Sequence, residues 1–232
     1  MLDPDLRPLA LVTGASRGIG AAVARALAPR HDLLLGGRDT VALNALAAEL
    51  PRSRPWPVEL TDEVAVAEAV GGIERLDVLV HSAGIGLLGT VADTSAATWR
   101  RQFEINVVAV AELTRLLLPA LRAARGRVVV LNSGAGLSAL PGWASYAASK
   151  HALRAFADAL RAEEAGHGVR VTSIHPGRVD TEMQRAVVAQ ERGDYRAADY
   201  LRADSVAGAV LFAVSAPRDA ALTELVLRPT GS

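Results

Sequence analysis

Short apolar runs alternate with longer, alanine-rich amphipathic stretches along this whole chain. The apolar runs are continuous, which is typical of parallel strands that are buried on both faces. The predicted strands are Leu9–Thr13, Asp32–Leu35, Trp56–Leu60, Val78–His81, Arg127–Asn132, Val169–His175 and Thr223–Leu227. The predicted helices are Ile19–Ala28, Thr40–Leu50, Val64–Val70, Thr98–Ala124, Ser145–Ala165 and Ser205–Ser215. This alternation predicts an α/β protein with a doubly wound, seven-stranded parallel sheet that is flanked by helices.

Nothing in the sequence divides the chain. It has 232 residues, half of them hydrophobic, and carries no repeat, low-complexity tract or long linker. This length is enough for one large core, so we expect a single domain over residues 1–232. The segment Glu182–Arg202 has mixed polarity and two tyrosines, and it is predicted to be an insertion of loop and helix before the last helix.

Charge and composition exclude several classes of function. Lys+Arg and Asp+Glu both number 25, so there is no basic excess for a nucleic-acid groove or a membrane face. The absence of cysteine excludes disulfides, thiolate catalysis and cysteine metal sites, and we expect no metal. No apolar run approaches the length of a membrane span, and the N-terminus lacks the pattern of a signal peptide. We therefore expect a cytoplasmic protein.

The only lysine of the chain lies four residues after one of its three tyrosines. Of the 25 basic residues only Lys150 is a lysine, and Tyr146 precedes it in a predicted helix. Residues four apart lie on one helix face, so the ammonium can approach the phenol. A nearby cation stabilises phenolate, and the sequence therefore predicts a pKa of Tyr146 well below the usual value of about 10. Tyr146 could then give or take a proton at an oxygen atom.

A glycine-rich turn connects the first predicted strand to the first predicted helix. It reads Thr13-Gly14-Ala15-Ser16-Arg17-Gly18-Ile19-Gly20. Glycines at such a turn let the backbone approach a pyrophosphate, which the helix N-terminus then binds through unpaired N–H groups. The turn thus predicts a dinucleotide site, although an ordinary βα turn can also be rich in glycine.

The spacing T-G-x-x-x-G-x-G resembles the cofactor motif of the short-chain dehydrogenase/reductase family, and the resemblance extends from about Leu9 to Pro229. It implies a Rossmann fold, a nicotinamide cofactor, a small-molecule carbonyl or alcohol substrate, and a homodimer or homotetramer. In that family the cofactor lies on the glycine-rich turn, on the loops after the later strands and on the catalytic pair. The cofactor residues so implied are Gly14, Ser16, Arg17, Gly18, Ile19, Gly20, Arg38, Glu59, Leu60, Ala83, Gly84, Tyr146, Lys150, Pro176, Gly177, Val179 and Thr181.

The residues after the second strand favour NADP(H) over NAD(H). Where an NAD site has an acidic residue for the ribose 2′-hydroxyl, this chain has Gly37, and Arg38 follows it. A carboxylate there would repel a 2′-phosphate, whereas Arg38 can bind one with two charge-assisted hydrogen bonds. Arg17 in the glycine-rich turn is placed to add a second cation.

Two cofactor segments depart from the family pattern. Glu59 stands where the family has an aspartate near the adenine, although the backbone of Leu60 could still serve there. After the fourth strand the usual Asn-Asn-Ala-Gly is replaced by His81-Ser82-Ala83-Gly84. His81 could be a general base, but a core histidine bonded to backbone groups is the more common case.

Two further residues complete the catalytic set that the resemblance implies. Ser133 ends the fifth predicted strand, thirteen residues before Tyr146, and Asn106 lies twenty-seven residues before Ser133. By resemblance, Ser133 binds the substrate oxygen, Asn106 holds a water that links Lys150 to solvent, and Lys150 also binds the nicotinamide ribose. Asparagine favours caps and turns, so Asn106 in the middle of a helix needs an explanation in any case.

The same resemblance places the substrate pocket among residues 85–88, 134–143 and 182–200. The apolar side chains expected to line it are Leu137, Leu140, Trp143, Met183 and Val187. A hydrophobic ketone or aldehyde would suit such a lining.

We therefore predict an NADPH-dependent oxidoreductase with Tyr146 as general acid and base. Two alternatives remain open: a dehydratase or epimerase on the same fold, and a non-catalytic sensor of NADP(H). Net turnover of NADPH separates the first alternative from the prediction, and the sensor has no need of the four catalytic residues together.

Overall fold

The computed structural model describes residues 7–230. Its seven strands form one parallel sheet in the order β3-β2-β1-β4-β5-β6-β7. The strands are β1 Leu9–Val12, β2 Asp32–Gly37, β3 Ser53–Pro57, β4 Val78–His81, β5 Arg127–Leu131, β6 Arg170–Pro176 and β7 Glu224–Leu227. The helices are α1 Gly18–Leu27, α2 Thr40–Glu49, α3 Glu63–Val70, α4 Ala96–Phe103, α5 Ala109–Ala124, α6 Ala144–Glu164, α7 Glu182–Gln190 and α8 Ala203–Ser215. The predicted doubly wound sheet is confirmed.

The strands are apolar throughout because both faces of the sheet are covered. In β2, Leu33 and Leu35 belong to a core cluster with α1 and α8, while Leu34 belongs to a second cluster with α5 and α6. Successive side chains of a strand point to opposite faces, so a strand between two helical layers needs an apolar residue at every position. Among residues 7–230, no helix is long and apolar enough to cross a membrane.

Two predicted boundaries are wrong. The third strand, expected at Trp56–Leu60, lies at Ser53–Pro57, where it pairs with β2 at the edge of the sheet. Its two prolines are tolerated there because an edge strand needs fewer backbone donors. The helix predicted at Thr98–Ala124 begins at Ala96 and contains a π-helical turn at Glu104–Val108.

The order of strands reverses between β1 and β4. In α/β sheets of this kind, ligands bind outside the carboxyl ends of the strands at such a reversal. The glycine-rich turn follows β1, and the segments that begin at Ser82, Asn132 and Gly177 follow β4, β5 and β6. The topology therefore brings the predicted site segments to one edge of the sheet.

His81, at the end of β4, is a core residue. Its Nε2 lies 2.8 Å from Thr114 Oγ1, and the Thr114 hydroxyl donates to Val110 O at 2.7 Å. The hydroxyl proton is thus engaged, so His81 Nε2 is the donor in this pair. Burial lowers the pKa of His81 from 6.5 to about 3. This supports the interpretation of His81 as a neutral core histidine, although the partner of its ring is the Thr114 hydroxyl and not a backbone group.

We expect His81 to make the fold sensitive to acid. The unfolded chain takes up a proton as pH falls below 6.5, and the folded chain does not, so stability is lost by up to about 1.4 kcal/mol per pH unit. Urea unfolding between pH 7 and 4.5 should show a shallower loss for His81→Asn than for the wild type. His167→Asn, at an exposed histidine, is the control; a His81→Asn slope equal to the wild-type slope would contradict the assignment.

Candidate functional site

The glycine-rich turn is shaped by close backbone contacts. Gly14 has φ +66°, and a Cβ placed on it would lie 2.9 Å from Ala83 Cα. A Cβ on Gly20 would lie 2.1 Å from Gly14 O, so α1 can begin directly against the turn only with glycine there. The N-cap residue of α1, Arg17, makes no side-chain capping bond. The first N–H groups of α1 therefore face the carboxyl edge of the sheet, where an anion can bind them.

The two arginines predicted to bind a 2′-phosphate lie on neighbouring loops. A Cβ on Gly37 would be 3.8 Å from Ser16 Cβ, which brings the loop of Arg38 against the turn that carries Arg17. Each arginine is 69% exposed and pairs with a carboxylate: Arg17 Nη1 with Glu182 at 3.0 Å, and Arg38 Nη1 with Glu59 at 3.2 Å. Exposed pairs of this kind contribute at most about 1 kcal/mol, so a phosphate can compete for both cations.

Glu59, predicted to lie near the adenine, pairs with the arginine predicted to bind the 2′-phosphate. Its carboxylate pairs with Arg38, and its other oxygen accepts from Thr61 N at 3.3 Å. The backbone hydrogen bond from Thr61 and the Arg38 guanidinium hold the pKa of Glu59 below its usual range despite partial burial. Leu60 packs against the core cluster between the sheet and α5. An adenine role for these two residues stays a prediction.

The loop after β4 joins the turn to the catalytic residues. Thr13 Oγ1 accepts from Ser82 N and Ala83 N at 3.0 and 3.2 Å, which ties this loop to the end of β1. Gly84 lies between two predicted catalytic groups: a Cβ there would be 3.1 Å from Asn106 Oδ1 and 3.9 Å from Lys150 Nζ. The loop backbone thus lies against both side chains.

Asn106 lies within the π-helical turn and is 1% exposed. Its Oδ1 accepts from Ile85 N at 2.9 Å, and its Nδ2 donates to Ile85 O at 3.0 Å and to Ser149 Oγ at 3.1 Å. The side chain therefore fixes the loop after β4 against α6. These bonds explain the mid-helix asparagine; the predicted water remains a prediction.

Tyr146, Ser133 and Lys150 meet at the floor of a cavity. All three residues line this cavity, and the Ser133 hydroxyl is close enough to the phenol of Tyr146 to influence its pKa. Lys150 is buried, its Nζ donates to Leu131 O at 3.1 Å, and it lies 5.9 Å from the centroid of the Tyr146 ring. The three residues come from the end of β5 and from one face of α6, as their spacing indicates.

The pKa of Tyr146 does not follow the prediction. Burial raises the pKa of the phenol above 10, and the nearby Ser133 hydroxyl opposes this rise in the pKa only in part. Burial also lowers the pKa of Lys150 from 10.5 to about 8. The attraction between ammonium and phenolate favours a lower pKa of Tyr146, but the cost of removing the phenolate from water is larger. A raised pKa keeps the phenol protonated near neutral pH.

Sequence reasoning missed a residue that connects the catalytic side chains. Asn132 is buried; its Oδ1 accepts from Ser133 N at 2.9 Å, and its Nδ2 donates to Lys150 O at 3.1 Å. It therefore links the end of β5 to α6 directly under Ser133. The sequence could have indicated this role, because Asn132 stands next to Ser133 at the end of an apolar strand. A buried amide side chain in that position must form hydrogen bonds with nearby groups.

The cavity above these residues has a volume of about 270 Å³. Four of the five predicted apolar residues line it, while Leu137 does not, because a 3-10 turn at Gly134–Gly136 intervenes before it. Of segment 182–200, the lining residues end at Val187. The lining side chains are chiefly apolar and include Ile85, Leu88, Leu140, Trp143, Met183 and Val187.

The loop after β6 closes one side of the cavity. The predicted cofactor residues from the end of β6 and this loop, Pro176, Gly177, Val179 and Thr181, all line it, as do Ile19, Ala83 and Gly84. Thr181 Oγ1 caps α7 through Gln184 N at 3.2 Å, and its methyl group is 3.5 Å from the position of a Gly18 Cβ. The glycine-rich turn, Thr181 and the catalytic residues therefore border one continuous space.

Comparison with known proteins identifies the family. The model of the short chain dehydrogenases matches residues 8–192. Serine 3-dehydrogenase from Agrobacterium fabrum is 35% identical over 231 residues, which cover 94% of this chain and 92% of that protein. The chain belongs to the short-chain dehydrogenase/reductase family of oxidoreductases.

Two other proteins extend the comparison. Glycine betaine reductase ATRR from Emericella nidulans is 33% identical over 235 residues, which cover 95% of this chain; the chain spans only 18% of the length of that relative. The alcohol dehydrogenase of the archaeon Thermococcus sibiricus, solved in complex with 5-hydroxy-NADP, superposes with a TM-score of 0.87 at 28% identity over 97% of both chains. The fold of the whole described chain is thus that of a short-chain dehydrogenase.

We expect the burial of Lys150 to cost stability. Its pKa of about 8 lies about 2.5 units below 10.5, so the ammonium destabilises the fold near pH 7 by roughly 3 kcal/mol at about 1.4 kcal/mol per unit. As pH rises through 8 toward 10.5, only the unfolded chain still holds the proton, and the penalty disappears. Lys150→Met should raise the free energy of unfolding by roughly 1–3 kcal/mol at pH 7, and this gain should shrink toward pH 10.

Denaturant unfolding at several pH values measures this gain. Leu153→Met, a change of similar volume at a buried position on the same helix, is the control and should show no such dependence. A Lys150→Met gain that stays constant between pH 7 and pH 10 would contradict a buried ammonium.

Proposed function

We propose that this protein is an NADPH-dependent oxidoreductase that interconverts a ketone or aldehyde and an alcohol, with Tyr146 as its general acid and base. One observation carries the proposal: Tyr146 and Ser133 line the same mainly apolar cavity, next to a buried lysine. Two hydroxyl groups placed in this way can both bind one carbonyl oxygen.

The residues of the chain fit a dinucleotide with a 2′-phosphate. The close backbone contacts of Gly14 and Gly20 leave no room for a side chain at these two positions, and α1 begins there without a side-chain cap. Arg17 and Arg38 would bind the 2′-phosphate, and Gly37 introduces no opposing charge. The alcohol dehydrogenase that superposes on this chain binds 5-hydroxy-NADP, which supports the same choice of cofactor.

When bound, the nicotinamide would supply the hydride. Tyr146 gives its proton to the substrate oxygen as negative charge develops there, and its raised pKa keeps that proton available near pH 7. Ser133 holds the same oxygen by a hydrogen bond. Lys150 provides a positive charge. Its ammonium donates to the carbonyl of Leu131, and its own carbonyl accepts from the side chain of Asn132, so the charge is held in position. In the reverse direction Tyr146 accepts the proton of the alcohol.

Loss of either hydroxyl should lower turnover without loss of cofactor. We expect Tyr146→Phe and Ser133→Ala each to reduce kcat by about a hundredfold or more, because each removes a group that acts on the developing oxyanion. NADPH oxidation at 340 nm with a panel of ketones and aldehydes gives kcat, and NADPH fluorescence gives the affinity. Tyr200→Phe, at a tyrosine outside the cavity, is the control and should stay near wild type. A Tyr146→Phe enzyme with near-normal turnover would refute the mechanism, and products formed without net NADPH turnover would favour a dehydratase or epimerase.

Arg38 should determine the choice of cofactor. Loss of one charge-assisted contact to phosphate costs about 1.5–3 kcal/mol, so Arg38→Ala should weaken NADPH binding roughly tenfold or more and leave NADH nearly unchanged. Arg25→Ala is a matched control because Arg25 is also an exposed arginine that pairs with a glutamate, Glu49, at 2.8 Å. Fluorescence titration with both cofactors measures the effect. Equal losses for NADPH and NADH in Arg38→Ala would refute the assignment.

A further inference from the structure

One arginine from the end of the sheet reaches the mainly apolar cavity. Arg228 follows directly after β7 and is among the residues that line the cavity. Pairing of Pro176 with Leu227 places it beside Gly177 at the end of β6. From there its side chain extends across β6 toward the segment that follows Ser133.

Two glycines make room for this side chain. A Cβ on Gly134 would lie 3.3 Å from both Nη1 and Nη2 of Arg228, and a Cβ on Gly177 would lie 3.6 Å from its Cδ. Because Gly134 directly follows Ser133, the guanidinium lies one residue along the chain from the hydroxyl proposed to bind the substrate oxygen. Arg228, Ser133 and Tyr146 thus line the same cavity.

The charge of Arg228 is not balanced within residues 7–230. Its hydrogen bonds there both leave from Nη1, to His175 O at 3.1 Å and to Leu227 O at 3.0 Å, and no carboxylate in that part of the chain lies within 4.0 Å of it. The other arginine of the cavity wall, Arg178, makes two bonds to Glu191, at 2.8 and 2.6 Å. Arg228 therefore keeps its Nη2 side for another acceptor.

We propose that Arg228 binds a carboxylate of the substrate, so that the carbonyl compound is an oxo acid and the alcohol is the corresponding hydroxy acid. This inference rests on the proposed function. A guanidinium offers a planar pair of donors that matches a carboxylate, and Arg228 is exposed while it also lines the cavity, so a substrate bound there can reach those donors. With the oxygen held by Tyr146 and Ser133 and the carboxylate held by Arg228, the substrate is fixed at two points.

Matched pairs of substrates test the proposal. Straight-chain oxo acids of three to six carbons are compared with their methyl esters, which keep the shape and lose the charge. We expect the wild type to prefer at least one acid over its ester. Arg228→Gln should raise KM for that acid about 10- to 100-fold and change KM for the ester by less than about twofold, while Arg228→Lys should retain part of the preference.

Arg178→Gln is the matched control. It removes a second arginine of the same wall whose charge Glu191 already balances, so it should change the acid and the ester by the same factor. If Arg228→Gln also changed both by the same factor, its bonds to His175 and Leu227 would have a structural role only, and the proposal would be overturned.

A binding measurement separates this proposal from the proposed function. Titration calorimetry with the hydroxy acids and NADP⁺ should detect binding to the wild type and its loss in Arg228→Gln. Such binding without turnover of any carbonyl compound would refute the proposed reaction and support the carboxylate site. The carboxylate site would be overturned if the enzyme turned over neutral ketones without preference for acids, and if the wild type and Arg228→Gln bound the hydroxy acids equally or not at all. The proposed reaction would still be supported by that turnover.

Discussion

The site depends on one expensive interaction, the burial of the Lys150 ammonium. A charge without water is tolerated only where polar groups replace its hydration, and here the carbonyl of Leu131 at the end of β5 accepts from Nζ. The carbonyl of Lys150 is itself held by Asn132, and Asn106 holds the adjacent loop against Ser149. The buried side chains of these two asparagines therefore fix the position of Lys150. The burial of its ammonium is unfavourable and lowers the pKa of Lys150 to about 8.

The doubly wound sheet explains why these groups meet. Parallel strands end at one edge, so the segments that follow β1, β4, β5 and β6 share the same space although they are distant in sequence. Helix α6 then contributes Tyr146 and Lys150 from one face, one turn apart. The π-helical turn at Glu104–Val108 adds Asn106 from a third direction. The rigid scaffold thus orders polar groups that an isolated segment could not hold.

Much of this arrangement follows from local patterns. Continuous apolar runs identified six of the seven strands to within a few residues, and the glycine-rich turn, Tyr146 and Lys150 lie where their spacing indicated. The third strand was misplaced because its apolar residues extend beyond its pairing with β2 at the sheet edge. Leu137 was assigned to the cavity from the family resemblance, and the 3-10 turn before it could not be foreseen.

The sequence by itself determined the fold class, the glycine-rich turn and the pairing of the lone lysine with a tyrosine, because each of these features depends on residues that are close along the chain. Only the tertiary structure decided the direction of the Tyr146 pKa, since desolvation depends on what surrounds the phenol and not on its neighbours in sequence. It also decided that Arg17 and Arg38 each face a glutamate and that Arg228 reaches the cavity past Gly134. Such contacts join residues far apart in the chain, and they exist only once the sheet has brought the ends of its strands together.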